Sequence, residues 1–341
     1  MHRRSAASAR RLRALTFCAA SVPAVLILPR VGWLWACGAS ILAAVLLGLC
    51  TRRPPCPSRA ADGAQLIWTL LVLGAAARRL CAAFPQRESV LIGLLLLLLA
   101  VYASARGEPV LTRAGTVCCL LLLALYAVLL LFSLPTLHRA WLRPQLKTDW
   151  TLLPYALLPL AALPLRPNAP RAVQLSAEPR VVVHPVRKNR QALRAAHRQK
   201  DHSLLWLGGG VLLTTLCALV TAGGLSPQVA AGERFPFYGA MKSVKLLGVM
   251  ERLEPLASAA LTVGGFALLG LLCAVSARCM ERVAPGMAAH AGRWNLLGGL
   301  AAFALAPHLS AQFFAVGTTI FWGLLPLAEL IRGFEKNIKK T

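Results

Sequence analysis

Along the chain, long apolar blocks alternate with short basic segments. Ten blocks stand out, at about 14–29, 31–50, 64–84, 88–105, 114–135, 149–165, 203–224, 254–277, 294–308 and 309–331. Stretches such as "SVLIGLLLLLLAVYASA" and "CCLLLLALYAVLLLFS" carry no charge, as the interior of a membrane span requires. A segment surrounded by lipid must satisfy its own backbone N–H and C=O groups, which a lone segment can do only as a helix. The pattern therefore predicts an all-α polytopic membrane protein of about ten transmembrane helices, with one integral membrane domain over 1–341. The ninth and tenth blocks abut at Pro307, so only that proline divides them.

Two blocks differ from the rest in the same way. Ala14 to Leu28 and Thr151 to Leu165 each offer 15 charge-free residues, whereas a straight crossing needs about 20. Both are interrupted by proline, the first by Pro23 and the sixth by Pro154, Pro159 and Pro164. Proline removes a backbone donor and blocks the preceding turn, which leaves carbonyls without helical partners. Ten spans divide into two fives, about 14–135 and 149–331, and each half then opens on a short, broken span. Broken helices at corresponding positions of an inverted repeat point to a ligand site. Ser21, Pro23, Pro154, Tyr155 and Pro159 are the candidate pocket residues, with simple kinking of packed helices as the alternative for each.

Charge fixes an orientation. The chain holds 37 Lys and Arg against 12 Asp and Glu, a balance that would suit nucleic acid if the basic residues shared a face. They lie instead between the apolar blocks. With the N-terminus inside, 26 of the 37 fall on cytoplasmic segments, as the positive-inside rule requires. This places both termini in the cytoplasm, gives the basic connection 166–202 to the cytoplasmic side near anionic lipid, and leaves no role for nucleic acid. Arg10, Arg11 and Arg13 before Ala14 imitate a signal peptide, but a second apolar block follows at once, so the first is expected to stay as a span.

Chemistry-bearing motifs are absent. Most of the ten cysteines lie inside apolar blocks, no CxxC occurs, and the seven histidines are scattered, so neither metal nor cofactor is expected. There is no P-loop, dinucleotide fingerprint, GxSxG or HExxH, and an enzyme is not expected. No Asp or Glu stands in the middle of a block, so a carboxylate proton relay is missing from the pattern. "FPFYGAMKSVKLLGVM" (235–250), with Lys242 and Lys245 about a turn apart, predicts a short helix on the outer interface. Glu251, Arg252 and Glu254 before Pro255 suit the start of the eighth span. Ala257, Ala259, Ala260, Gly264 and Gly265 then suit close helix packing.

Three stretches carry a family resemblance. "RRLRALTFCAASVPAVLILPRVGWLWACGASILAAVLLGLC" has a first span ending in Leu28-Pro29, then a Trp-containing second span. "LLLAVYASARGEPVLTRAG" sets Tyr102, Gly107, Glu108 and Arg113 in order, and "FPFYGAMKSVKLLGVMERLEPL" joins Phe235-Pro236 to Glu251-Arg252-Leu253-Glu254. In these the chain resembles the B-subunit permease of bacterial spore germinant receptors, a spore germination branch of the amino acid–polyamine–organocation superfamily. The resemblance implies a broken-helix 5+5 inverted repeat with a pocket between the first, third, sixth and eighth spans. It also implies a place in the spore inner membrane beside an A-type subunit and a lipoprotein C-type subunit. The implied role is to sense a nutrient, typically an amino acid, and trigger germination. An amino-acid permease using the same pocket, and a scaffold without a ligand, are the alternatives. Ser21 and Pro23 stand where the family has a glycine at the first break, and Leu261 where it has a large residue in the eighth span.

Overall fold

The computed structural model describes residues 30, 32–52, 59–83, 89–142, 203–233, 235–244, 253–288, 290–328 and 331. All regular structure among them is helical. In chain order the main helices are α1 (Trp33–Arg52), α2 (Arg59–Ala83), α3 (Ser89–Ala105), α4 (Glu108–Ser133) and α5 (Ser203–Gly224). Then come α6 (Pro227–Gly232), α7 (Pro236–Ser243), α8 (Glu254–Val283), α9 (Ala291–Leu305) and α10 (Ala311–Thr318, continued by a π-helical segment, Thr319–Leu324). Eight of the ten apolar blocks are thus helices; the first and sixth lie outside the described residues. Among the described residues, four helices are long and apolar enough to cross a bilayer: Arg59–Cys81, Arg113–Thr136, Pro255–Val283 and Ala311–Ala328. Trp33–Leu46, Val90–Ala105 and Gly208–Gly224 are shorter apolar helices.

Helix ends follow local chemistry. Pro307 does divide the last two spans: α9 gives way to a turn over Ala306–His308, and Ser310 caps α10 by accepting a hydrogen bond from the Phe313 N–H at 3.1 Å. Gly107 precedes α4 at φ +98°, a conformation open to glycine and strained for other residues. Pro109 follows within the first turn, where its missing N–H leaves no helical bond unmade. Gly107→Ala is expected to lower stability by about 1–2 kcal/mol, read as a lower melting temperature of the detergent-solubilised protein. Arg113 lies exposed further along α4.

Helix α8 is the axis of the bundle. Its most apolar window is 72% buried, against 28% for the equivalent window of α4, so α8 is packed on all sides while α4 faces outward. Leu120, Leu121 and Leu131 of α4, with Leu91, Leu95 and Leu99 of α3, form an exposed apolar surface suited to lipid. Helix α8 touches α2, α3, α4, α7 and α9. Helix α2 packs in turn against α3, α8, α9 and the π segment of α10. Helices α1 and α5 pair through Ala36 and Ala218, and the Trp33 indole donates to the Leu142 carbonyl at 3.0 Å.

Small residues set these approaches, as lipid gives helices little hydrophobic reason to associate. A Cβ at Gly265 of α8 would come within 2.7 Å of the Leu80 side chain, and one at Gly74 within 2.4 Å of α9 backbone. Ala257 and Ala260 are buried as the pattern suggests, but Ala259 faces outward.

The short helix expected within 235–250 is present and packs into the bundle, while residues 245–250 lie outside the described residues. Helix α7 spans only eight residues and is wedged into the bundle, with Phe237, Tyr238, Ala240 and Met241 all buried. Phe237 packs 6.3 Å from the ring of Tyr126 on α4, and the Ser133 hydroxyl reaches the Met241 sulfur at 3.6 Å. Tyr238 shares a 2.8 Å hydrogen bond with Ser258 of α8. Among the described side chains of α7, Lys242 points out, over the Tyr238 ring at 5.2 Å. Burying the Phe237 and Tyr238 rings between α4, α5 and α8 gains apolar area, and the Tyr238 hydroxyl keeps a partner in Ser258.

Candidate functional site

The five candidate pocket residues, Ser21, Pro23, Pro154, Tyr155 and Pro159, lie outside the described residues, as do Glu251 and Arg252. Glu254 opens α8. What the described residues bring together is a different set, a polar seam between α2, α8 and α9.

On α2 the seam begins with Asp62, Gln65 and Thr69. Their spacing of three and four puts them on one helix face, and all three are buried, at 6%, 8% and 0% exposure. Facing them, α8 contributes Ser276 and Arg282, and α9 contributes Asn295. Contacts along the helices fix the depth of each. Asp62 meets Arg282, while Gly74 meets Gly299 and Phe303. Asn295 and Ser276 therefore sit near the level of Gln65 and Thr69.

At the centre of the seam Asn295 and Ser276 are both fully buried. The Ser276 hydroxyl donates to the Asn295 side-chain oxygen and also approaches the Cys273 carbonyl at 3.3 Å. The Asn295 amide donates to that same carbonyl at 3.1 Å. One asparagine thus pins α9 to the backbone and a side chain of α8. Thr69 is satisfied within its own helix, donating to the Gln65 carbonyl at 2.7 Å. Beneath lies the ion pair: an Arg282 guanidinium N–H meets the Asp62 carboxylate at 2.9 Å, with side-chain exposures of 34% and 8%. Arg282 reaches water while Asp62 does not. A second pair, Arg278 with Glu281 at 3.2 Å, lies on the surface of α8.

The seam holds helices together and supports no nucleophile–base arrangement. Among the described residues there is no group of His, Cys, Asp and Glu able to hold a metal ion. Asn295→Ala would remove both side-chain bonds linking α9 to α8 here and leave the Ser276 hydroxyl only its longer contact with the Cys273 carbonyl. A loss of about 1–2 kcal/mol is expected, measured as a lower melting temperature, with Asn295→Asp lowering it further.

No protein-family profile matches the chain, and no curated protein sequence is similar to it.

Proposed function

We propose that this protein is the membrane subunit of a spore germinant receptor. It binds a small nutrient, an amino acid by chemistry, and passes the signal to an A-type and a lipoprotein C-type subunit. The observation that carries the reading is the stretch "FPFYGAMKSVKLLGVMERLEPL", the most specific of the three family-like stretches. Part of it forms α7 and the start of α8, built into the bundle rather than lying beside it. Ligand capture at the breaks of the first and sixth spans, around Ser21, Pro23, Pro154, Tyr155 and Pro159, would favour one arrangement of the helices over another.

The packing supports the inverted five-plus-five repeat behind this reading. Number the apolar blocks one to ten; the repeat exchanges each block of the first five with its counterpart in the second. Helices α1 to α4 are blocks two to five, α5 is block seven, and α8 to α10 are blocks eight to ten. Under the exchange the α2–α9 contact becomes α8–α3, α2–α10 becomes α8–α4, and α2–α3 becomes α8–α9. The pairs α1–α5 and α2–α8 map onto themselves. Each of these contacts is present. Blocks three and eight, two of the four expected around the pocket, are the most intimately packed pair.

Deletion of the gene in its spore-forming host, followed by germination assays over a nutrient panel, tests the proposal. The expected result is loss of the response to one nutrient with the others retained. Unchanged germination in the deletion strain would overturn it. Uptake of a radiolabelled amino acid into vesicles, abolished by Ser21→Ala or Tyr155→Phe, would then establish the permease.

A further inference from the structure

We propose that the π turn of α10, with Trp68 of α2 against it, binds the hydroxyl group of an uncharged lipid-soluble molecule such as a long-chain alcohol. Among the described residues, the indole N–H groups of Trp68 and Trp322 are buried, at 3% and 0% exposure, and have no hydrogen-bond partner. An unpaired donor in an apolar interior is costly, so two of them on contacting segments call for an acceptor.

Both indoles belong to the contact between α2 and α10. Gly317, Thr318 and Trp322 are buried, and the π segment touches α2. The Trp68 ring takes the space that a side chain at Gly317 would need, and it stacks on Phe321 with ring centres 5.2 Å apart. The acceptor side of the site follows from Pro326. Leu325 donates its N–H to the Ile320 carbonyl, five residues back, and Pro326 has no N–H to give. The Phe321 carbonyl would take its bond from residue 325 in an α-helix or from residue 326 in a π-helix. Its own helix therefore supplies it with neither. Two N–H donors and one carbonyl match a hydroxyl, which offers two lone pairs and one proton. A carboxylate would suit the indoles but repel the carbonyl, and an ammonium the reverse.

Trp68 stands six residues beyond Asp62, about 9 Å along α2, within a span that crosses a hydrocarbon layer about 30 Å thick. Beside it Ile67, Ile320 and Leu324 are 69%, 43% and 55% exposed, and so open to lipid. The occupant comes from the membrane: its hydroxyl enters between Trp68 and the π turn, and its apolar chain lies along these three side chains.

The test is proton–nitrogen NMR of the indole N–H groups in the full chain in lipid nanodiscs, titrated with decanol or with decyl methyl ether. Loss of single signals in Trp68→Phe and Trp322→Phe assigns the two indoles. Decanol is expected to move both signals downfield in a saturable way. The ether accepts hydrogen bonds but cannot donate to the Phe321 carbonyl, so it should need a several-fold higher concentration. Pro326→Ala gives residue 326 an N–H and lets the helix bond that carbonyl, which should bring the decanol midpoint to that of the ether. This variant removes a helix breaker, so folding is not at stake. Trp294→Phe, at a 42% exposed position on α9, should leave the wild-type response intact. The proposal is overturned if decanol moves neither indole signal, or if alcohol and ether act equally on wild type. It is equally overturned if both indoles show cross-peaks to water that decanol leaves unchanged, since water alone would then fill the site.

Discussion

Replacing Gly74 by alanine is expected to destabilise this protein strongly, because the added methyl group meets the backbone of another helix. The added Cβ would lie 2.4 Å from both the Gly299 carbonyl oxygen and the Phe303 nitrogen, and 2.6 Å from the Ala302 carbonyl carbon. All three are α9 backbone atoms, which cannot rotate out of the way as a side chain can. The helices must separate, and separation also loosens Leu73 and Leu97, which pack around Gly299. Inserting volume into a packed core costs about 1–3 kcal/mol when side chains can adjust, so a loss of at least about 3 kcal/mol is expected here. Two control substitutions make the test graded. Gly265→Ala meets only methyl groups of Leu80, at 2.7 Å, and should cost about 1–2 kcal/mol. Gly63→Ala, in the same helix as Gly74, meets nothing within 4 Å and should stabilise by up to about 1 kcal/mol through helix propensity. Melting temperatures that fail to rank Gly63→Ala above Gly265→Ala above Gly74→Ala would contradict the α2–α9 approach.

The helical skeleton was legible because the apolar blocks are long and the breaks carry glycine, proline or serine. Glu254-Pro255 marks the start of α8, and Pro307 with Ser310 marks the division of the last two spans. The seam was not legible, for a reason that lies in α2. Hydropathy starts that span at residue 64, after the last charged residue, whereas the helix begins at Arg59. Asp62 thereby appears to lie in a loop, although the spacing of Asp62, Gln65 and Thr69 already describes a helix face. Nothing local marks Asn295, because its partners on α8 come from distant sequence. The packing of α7 was not legible either. Two lysines suggested an interface, but the burial of Phe237 and Met241 depends on Tyr126 and Ser133, more than a hundred residues earlier in the chain. A hydrophobic pattern records how much each residue gains by leaving water, and leaves unspecified whether lipid or protein receives it.

The ion pair at the Asp62 end of the seam should respond asymmetrically to the loss of its two members. Arg282→Ala leaves the Asp62 carboxylate, 8% exposed, with no partner in an apolar site, and removing one member of a buried pair costs about 3–5 kcal/mol. The lower end of that range is expected, because Asp62 can take up a proton. Asp62→Ala leaves a guanidinium whose side chain is already 34% exposed. It can extend into water along its aliphatic stem, so a loss of about 1 kcal/mol is expected. Asp62→Leu combined with Arg282→Leu removes both charges while keeping volume, and such replacements are often neutral or stabilising. The double variant should therefore melt above Arg282→Ala. Because α2 and α8 also meet at Leu80 and Gly265, 18 residues along from Asp62, none of these variants should separate the helices completely. With Asp62→Ala/Arg282→Ala added to close the cycle, melting curves give the coupling energy. Equal losses for the two single alanine variants, or a double leucine variant below both, would mean that Asp62 is not buried against α8.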